Sequence, residues 1–274
     1  MKRFLSLLLA MILMTTCLLL ISCGGGNDTE SESTTETDDQ ETPEAVSRFF
    51  VAGYEKTVAM GETETKMSGR VIMDLKPDGT LDLYVGFIGM AEHQTAHYTG
   101  TYTLGENEEF DETISFTYTY GEGETATVTD AVIIDGIFEA PFYMVASMTS
   151  NPIKFYETQP IDLDGDVYVG YMTKTGGMGA MVNAYILCMK DGGTFDVSIM
   201  QMASVMHVWD DTNGTYTVDG DKITFTYDVV SDEGVVAEDY TSEGKEYSET
   251  RLLTGFNIYQ ASVHASDAEF IRVK

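Results

Sequence analysis

Four histidines, His93, His97, His207 and His264, are the side chains best suited to proton or metal chemistry in this 274-residue chain. His93 and His97 stand four residues apart with Glu92 beside them. That spacing puts both rings on one face of a strand as readily as of a helix, so they form a candidate metal pair. His207 recurs in the second half, but Asp211 occupies the place a second ring would need. The competing reading of each histidine is a strand-edge imidazole bonded to nearby backbone. Met200, Met202 and Met206, next to His207, offer thioethers that would suit a soft ion such as Cu(I). Period-two placement puts the three on one strand face, which also suits an adaptable core or the lining of an apolar ligand site. Asp162-Leu163-Asp164-Gly165-Asp166 alternates carboxylates as a hard-oxygen site begins, yet Gly165, Val167 and Thr173 fall where a calcium loop needs other residues. It reads as an acidic turn. Neither Gly-x-Ser-x-Gly nor His-Glu-x-x-His occurs, and no nucleophile stands with a base, so neither catalysis nor a cofactor is expected.

The cysteines carry a different chemistry. Lys2 and Arg3 precede a stretch, Phe4 to Ile21, that is apolar apart from Ser6, Thr15, Thr16 and Cys17, the layout of a secretory leader. A retained span needs ~20 apolar residues and a charged stop-transfer flank. Here three glycines and then acid follow, which argues against one. Leu20-Ile21-Ser22-Cys23 resembles a bacterial lipobox: an aliphatic residue, a tolerant position, a small residue, then cysteine. The resemblance implies a diacylglycerol thioether on Cys23 and cleavage between Ser22 and Cys23. Residues 1–22 are then a leader, and the mature protein is held at the cell membrane on its extracytoplasmic side. Of the three cysteines, Cys17 leaves with the leader and Cys23 is lipidated, so Cys188 is alone and no intramolecular disulfide forms. Within Ala184-Tyr185-Ile186-Leu187-Cys188-Met189 it reads as a small buried hydrophobe.

Residues 23–45 continue from that cysteine as a linker. From residue 27 it carries eight acidic side chains and no basic one, too little apolar surface to offset chain entropy, so it is expected to be a disordered spacer. The chain as a whole has a formal charge of −30. Phosphate backbones are bound by lysines and arginines that displace counterions, so nucleic acid is excluded as a partner. Acyl chains, not headgroup attraction, are left as the membrane attachment.

The elements that position these residues emerge when the sequence is set against itself. Lys76-Pro77-Asp78-Gly79-Thr80 is echoed by Lys190-Asp191-Gly192-Gly193-Thr194, and Gly100-Thr101-Tyr102-Thr103 by Gly214-Thr215-Tyr216-Thr217, both at an interval of 114 residues. His93 and His207 share that interval. Gly53-Tyr54 also matches Gly170-Tyr171, with a slightly different offset. Two related domains in tandem, 46–158 and 161–274, are expected, each of a usual size for one core. Short runs of Val, Ile, Thr, Tyr and Phe alternate with Gly, Asp and Asn throughout, the signature of an all-β meander. In the first copy about eight strands are predicted near 48–54, 66–75, 80–87, 97–104, 113–120, 126–134, 137–148 and 152–157. Eight antiparallel strands in sequence favour an up-and-down barrel, because closure removes exposed sheet edges. The fold class is all-β, two tandem antiparallel barrels.

The opening Gly-Tyr, the Asp-Gly-Thr hairpin, the Gly-Thr-Tyr strand and the terminal strand with Phe and a basic residue (Lys154-Phe155, Phe270-Ile271-Arg272) resemble the lipocalin-like, or calycin-type, domains of bacterial lipoproteins. In that family a Gly-x-Trp opens the barrel and a late Arg or Lys packs over the Trp. Tyr54 and Tyr171 stand where the Trp would be. The resemblance implies a non-catalytic binding module whose barrels take a small apolar ligand. Filled barrels that bind an envelope protein are the alternative, and a copper-binding lipoprotein a further one.

Overall fold

The computed structural model describes residues 46–60, 63–89, 92–143, 152–176, 179–203, 206–231, 234–256 and 268–274. Ser22, Cys23, the linker and His264 lie outside these residues. Every regular element among them is a strand. The first sheet contains β1 (Arg48–Met60), β2 (Thr63–Leu75), β3 (Thr80–Gly89), β4 (Glu92–Gly105), β5 (Thr113–Tyr120), β6 (Glu124–Val132), β7 (Ile137–Ala140) and β8 (Ile153–Thr158). The second contains β9 (Asp166–Gly176), β10 (Gly179–Lys190), β11 (Thr194–Ala203), β12 (Met206–Asp219), β13 (Lys222–Ser231), β14 (Gly234–Ser248), β15 (Arg251–Thr254) and β16 (Ala268–Arg272). Both are antiparallel, as predicted; of the strand expected at 137–148 only Ile137–Ala140 forms β7, and residues 144–148 lie outside the described residues.

The two rings close differently. The second is a closed barrel, with β16 pairing back onto β9. The first runs β6-β5-β4-β3-β2-β1-β8-β7, with β8 on β1 and no ladder between β6 and β7 among the described residues. Pro141 follows β7 directly, and a bulge at Asp130, whose φ is 50°, interrupts β6. Proline lacks the N–H that would extend the strand, and a bulge twists an edge out of register.

Alternation sets the inside and the outside. Ile114, Phe116 and Tyr118 on β5 face the first interior while Ser115, Thr117 and Thr119 face out, and Ile223, Phe225 and Tyr227 repeat the pattern on β13. The repeated motifs have a local logic. Gly79, with φ 83°, makes the turn between β2 and β3, and the Tyr102 hydroxyl donates to Lys76 O at 2.8 Å, sealing it. Tyr216 does the same to Lys190 O at 3.3 Å. A side-chain carbon on Gly100 would lie 2.0 Å from Thr117 O, and one on Gly214 2.1 Å from Thr226 O. These two strands approach too closely for any other residue. The pairing ladders share the interval: Asp82 faces Thr99 and Asp196 faces Asn213, each 114 residues on.

A third apolar core lies outside both interiors. Phe49, Val51 and Ile72 from the outer face of the first sheet pack with Val167, Val169 and Ile186 from the outer face of the second. Four of these, Val51, Ile72, Val167 and Val169, are wholly buried. Residues Ala45–Lys274 accordingly form one compact unit.

Candidate functional site

The first interior has a packed floor and a more open upper tier. Phe50, Phe116, Phe138 and Phe155 fill the floor at 0–2 % exposure, with ring centroids 4.7–6.1 Å apart where they touch. Each such ring contributes roughly 1.5–3 kcal/mol of burial. Phe142, just past β7, also enters the interior, 5.3 Å from Tyr118 and 5.6 Å from Phe155. The Tyr118 hydroxyl donates to Tyr143 O at 3.1 Å and accepts from Tyr143 N at 2.7 Å, tying that segment across the barrel. Burial raises the Tyr118 phenol above its usual range.

Above the floor the inward positions change character. Tyr98 stacks on Tyr118 at 6.1 Å and Tyr120 on Tyr143 at 5.5 Å. Ala52, Val71, Val85 and Ala96 follow one another along a single rung. Tyr54, Ala96, Tyr98, Tyr120 and Tyr143 pack on the core yet remain partly exposed. Phenol rings and methyl groups that solvent partly reaches thus line this part of the interior.

The second interior is packed by Phe195, Phe225, Phe256 and Phe270. Phe256 stands 114 residues after Phe142 and occupies the corresponding place, 5.8 Å from Tyr227 and 6.0 Å from Phe270. Sequence comparison missed this pair. The signal was the shared interval, hidden because Pro141 and Gly255 before the rings differ.

The seam between the sheets holds the most deeply buried charge among the described residues. Arg70, on the outer face of β2, is fully buried. Its guanidinium donates to Gly69 O at 2.9 Å and Tyr54 O at 3.3 Å, pairs with Glu55 at 3.2 Å, and lies 5.6 Å over the Tyr171 ring. Burial pulls its pKa down. Tyr171 projects into the seam, whereas Tyr54 faces the interior. The two Gly-Tyr pairs therefore present opposite faces. The basic residue over Tyr171 comes from the other sheet, not from the late strands: Lys154 is exposed, and Arg272 pairs with Asp166. Register explains the inversion: Phe49, Asp74 and Asp82 lie in one row as Val167, Cys188 and Asp196 do, so Tyr171 takes the place of Gly53 and not of Tyr54.

Of the metal candidates, His93 and His97 each meet a different partner. His93 Nε2 lies 3.0 Å from Arg272 O across the seam, and His97 Nε2 2.9 Å from Asp82 Oδ1, with its ring stacked on Tyr84 at 4.8 Å. No group of three His, Cys, Asp or Glu able to hold a metal occurs among the described residues. Met200 is buried in the seam core, not in a barrel lining. Met202 pairs with His207 and Ala203 with Met206 across β11 and β12. The side chains of Met202, Met206 and His207 lie outside what the structure describes. Asp162 to Asp164 is irregular, with Asp164 N donating to Asp162 Oδ1 at 3.1 Å, the chain bends at Gly165 (φ 104°), and Asp166 opens β9. Cys188 is buried, and its thiol donates to Asp162 O at 2.9 Å. Burial pushes that thiol up to about 12, far from a reactive thiolate.

A groove of about 220 Å³ opens beside this cysteine on the outer face of the second barrel. Ile186 and Cys188 on β10, Asp196 and Ser198 on β11 and Asp211 on β12 line it along the sheet, and Pro160 to Asp162 line it from the segment before β9. Comparison with protein-family models, with curated proteins and with solved structures finds no match to the chain.

Proposed function

We propose that the protein is a lipid-anchored, extracytoplasmic binding module whose first barrel takes a small apolar or amphipathic ligand, with no catalytic role. The carrying observation is that Ala96, Tyr98, Tyr54 and Tyr120 face the first interior and stay partly exposed, and we read them as the wall of a ligand cup. Ligand sites combine apolar walls with few polar groups, and phenol rings supply both. The leader, the lipobox-like Leu20-Ile21-Ser22-Cys23 and the acidic spacer support the placement at a membrane surface.

The test uses de-lipidated protein and the neutral probe N-phenyl-1-naphthylamine. Saturable fluorescence enhancement, lost in Ala96→Trp, is expected, because an indole at Ala96 fills the cup. Enhancement unchanged by Ala96→Trp, or absent in the native protein, contradicts the reading. One observation favours the alternative of a protein-binding role: Val230 and Val235 pair on β13 and β14 and, with Val236, are each 51–54 % exposed. Exposed apolar residues in contact mark partner surfaces when the patch is large.

A further inference from the structure

The groove on the second barrel has an internal template in the first. Asp82, Tyr84 and His97 on β3 and β4 stand 114 residues before Asp196, Ser198 and Asp211 on β11 and β12, and the cross-strand partners agree: Tyr84 faces His97 and Ser198 faces Asp211. In the first copy the space over these strands is filled. The His97 imidazole stacks on Tyr84 with an interplanar angle of 5° and meets Asp82 Oδ1 at 2.9 Å, while Lys274 Nζ lies 5.8 Å from the Tyr84 ring centre. In the second copy serine and aspartate replace the two rings, and the groove appears there.

Its chemistry follows from what remains. Ile186 and Cys188, both 2 % exposed, give an apolar floor. Lys190 Nζ bridges Asp162 Oδ2 at 2.9 Å and Asp196 Oδ2 at 2.6 Å, and Ser198 donates to Asp211. The carboxylates of Asp162, Asp196 and Asp211 outnumber the nearby ammoniums of Lys190 and Lys274, so anions are disfavoured. A flat group lying on the floor with N–H donors toward Asp196 would reproduce what His97 does with Asp82.

We propose that this groove binds a small planar nitrogen cation of the guanidinium or imidazolium type, with Asp196 and Asp211 as acceptors. The assignment is independent of the ligand cup in the first barrel. Guanidinium forks match carboxylates geometrically and are weakly hydrated, which suits a partly apolar groove.

Titration of the ¹⁵N-labelled full mature chain with butylguanidinium, in ~0.15 M salt to screen diffuse attraction, tests it. Saturable amide shifts confined to Asp196, Ser198, Asp211 and Asn213 are expected, with butylurea, the neutral isostere, at least tenfold weaker. Ser198→Tyr with Asp211→His rebuilds the first copy's ring pair and should abolish the shifts. Asp196→Asn, a surface change, should weaken binding at least tenfold. Shifts that fail to saturate, spread over the acidic surface, or persist in both variants would show counter-ion association only and overturn the proposal. Equal binding of butylurea would overturn it as well.

Discussion

The Tyr171 ring sits where a side chain on Gly53 would be: a carbon added to Gly53 would lie 2.3 Å from Tyr171 Cγ. These residues belong to different barrels, and their contact lies beside the Arg70 guanidinium. Gly53→Ala must displace the ring and so loosen the seam. A cost of about 1–3 kcal/mol, the range for overpacking a tight core, is expected. Urea unfolding of Gly53→Ala checks it, and Tyr171→Ala in the same background should recover part of the loss, because the clash is then gone.

Arg70 tests whether charge or packing holds the seam. Its partner Glu55 is 44 % exposed, so removing the arginine strands no buried carboxylate. Arg70→Met keeps the volume and is expected to cost less than Arg70→Ala, which leaves a cavity of the kind that costs about 2–5 kcal/mol. The urea midpoints of the two variants decide it. Equal losses would mean that the cation itself carries the seam.

Phe142 and Phe256 offer a matched pair. Each is 1–2 % exposed, and each packs on a tyrosine (Tyr118 on β5, Tyr227 on β13) and on a phenylalanine of the neighbouring strand (Phe155 on β8, Phe270 on β16). Either Phe→Ala change should cost about 3–5 kcal/mol. Because the third core couples the barrels, each variant should still unfold in one transition monitored by circular dichroism. Two resolved transitions in the wild type would contradict that coupling.

Much of this was legible in the sequence and some was not. Alternation in Ile114-Ser115-Phe116-Thr117-Tyr118 gave strand and facing together, and the Gly-Thr-Tyr echo gave the tandem, because turns and close approaches demand particular residues. The seam escaped the alternation test because Phe49-Phe50-Val51-Ala52 and Val167-Tyr168-Val169 are apolar on both faces. Such runs mark strands buried on both sides, and that signal was available. Arg70 gave none, since its burial depends on Tyr171 from a distant strand. The empty space at Ser198 and Asp211 becomes meaningful only beside the ring pair at Tyr84 and His97.

Cys188 sets a pH dependence. In the unfolded chain the thiol ionises near its ordinary value of 9.0, whereas burial in the native state holds the proton until about 12. Its contribution is intact below pH 9 and is lost as pH rises toward 12, by at most ~1.4 kcal/mol per pH unit. Urea midpoints measured from pH 8 to 11 should fall, and fall less steeply in Cys188→Ala. The slope will not vanish, since burial also raises the phenols of Tyr118, Tyr156 and Tyr168. At pH 8 native protein should not react with DTNB until urea unfolds it.

The proposed lipid anchor has a test of its own. Cys23→Ser should abolish incorporation of labelled fatty acid and move the protein from the membrane to the soluble fraction, with the circular dichroism of the barrels unchanged. Membrane retention of Cys23→Ser would reject the anchor.

The central claim is that the first barrel holds its ligand in the tyrosine-lined cup. Intermolecular nuclear Overhauser effects from bound N-phenyl-1-naphthylamine test it most directly. Contacts to the Ala96 methyl and to the Tyr98 and Tyr120 rings are predicted. Contacts confined to the groove at Ile186 or to the exposed valines of β13 and β14, with none to Ala96 or Tyr98, would contradict it.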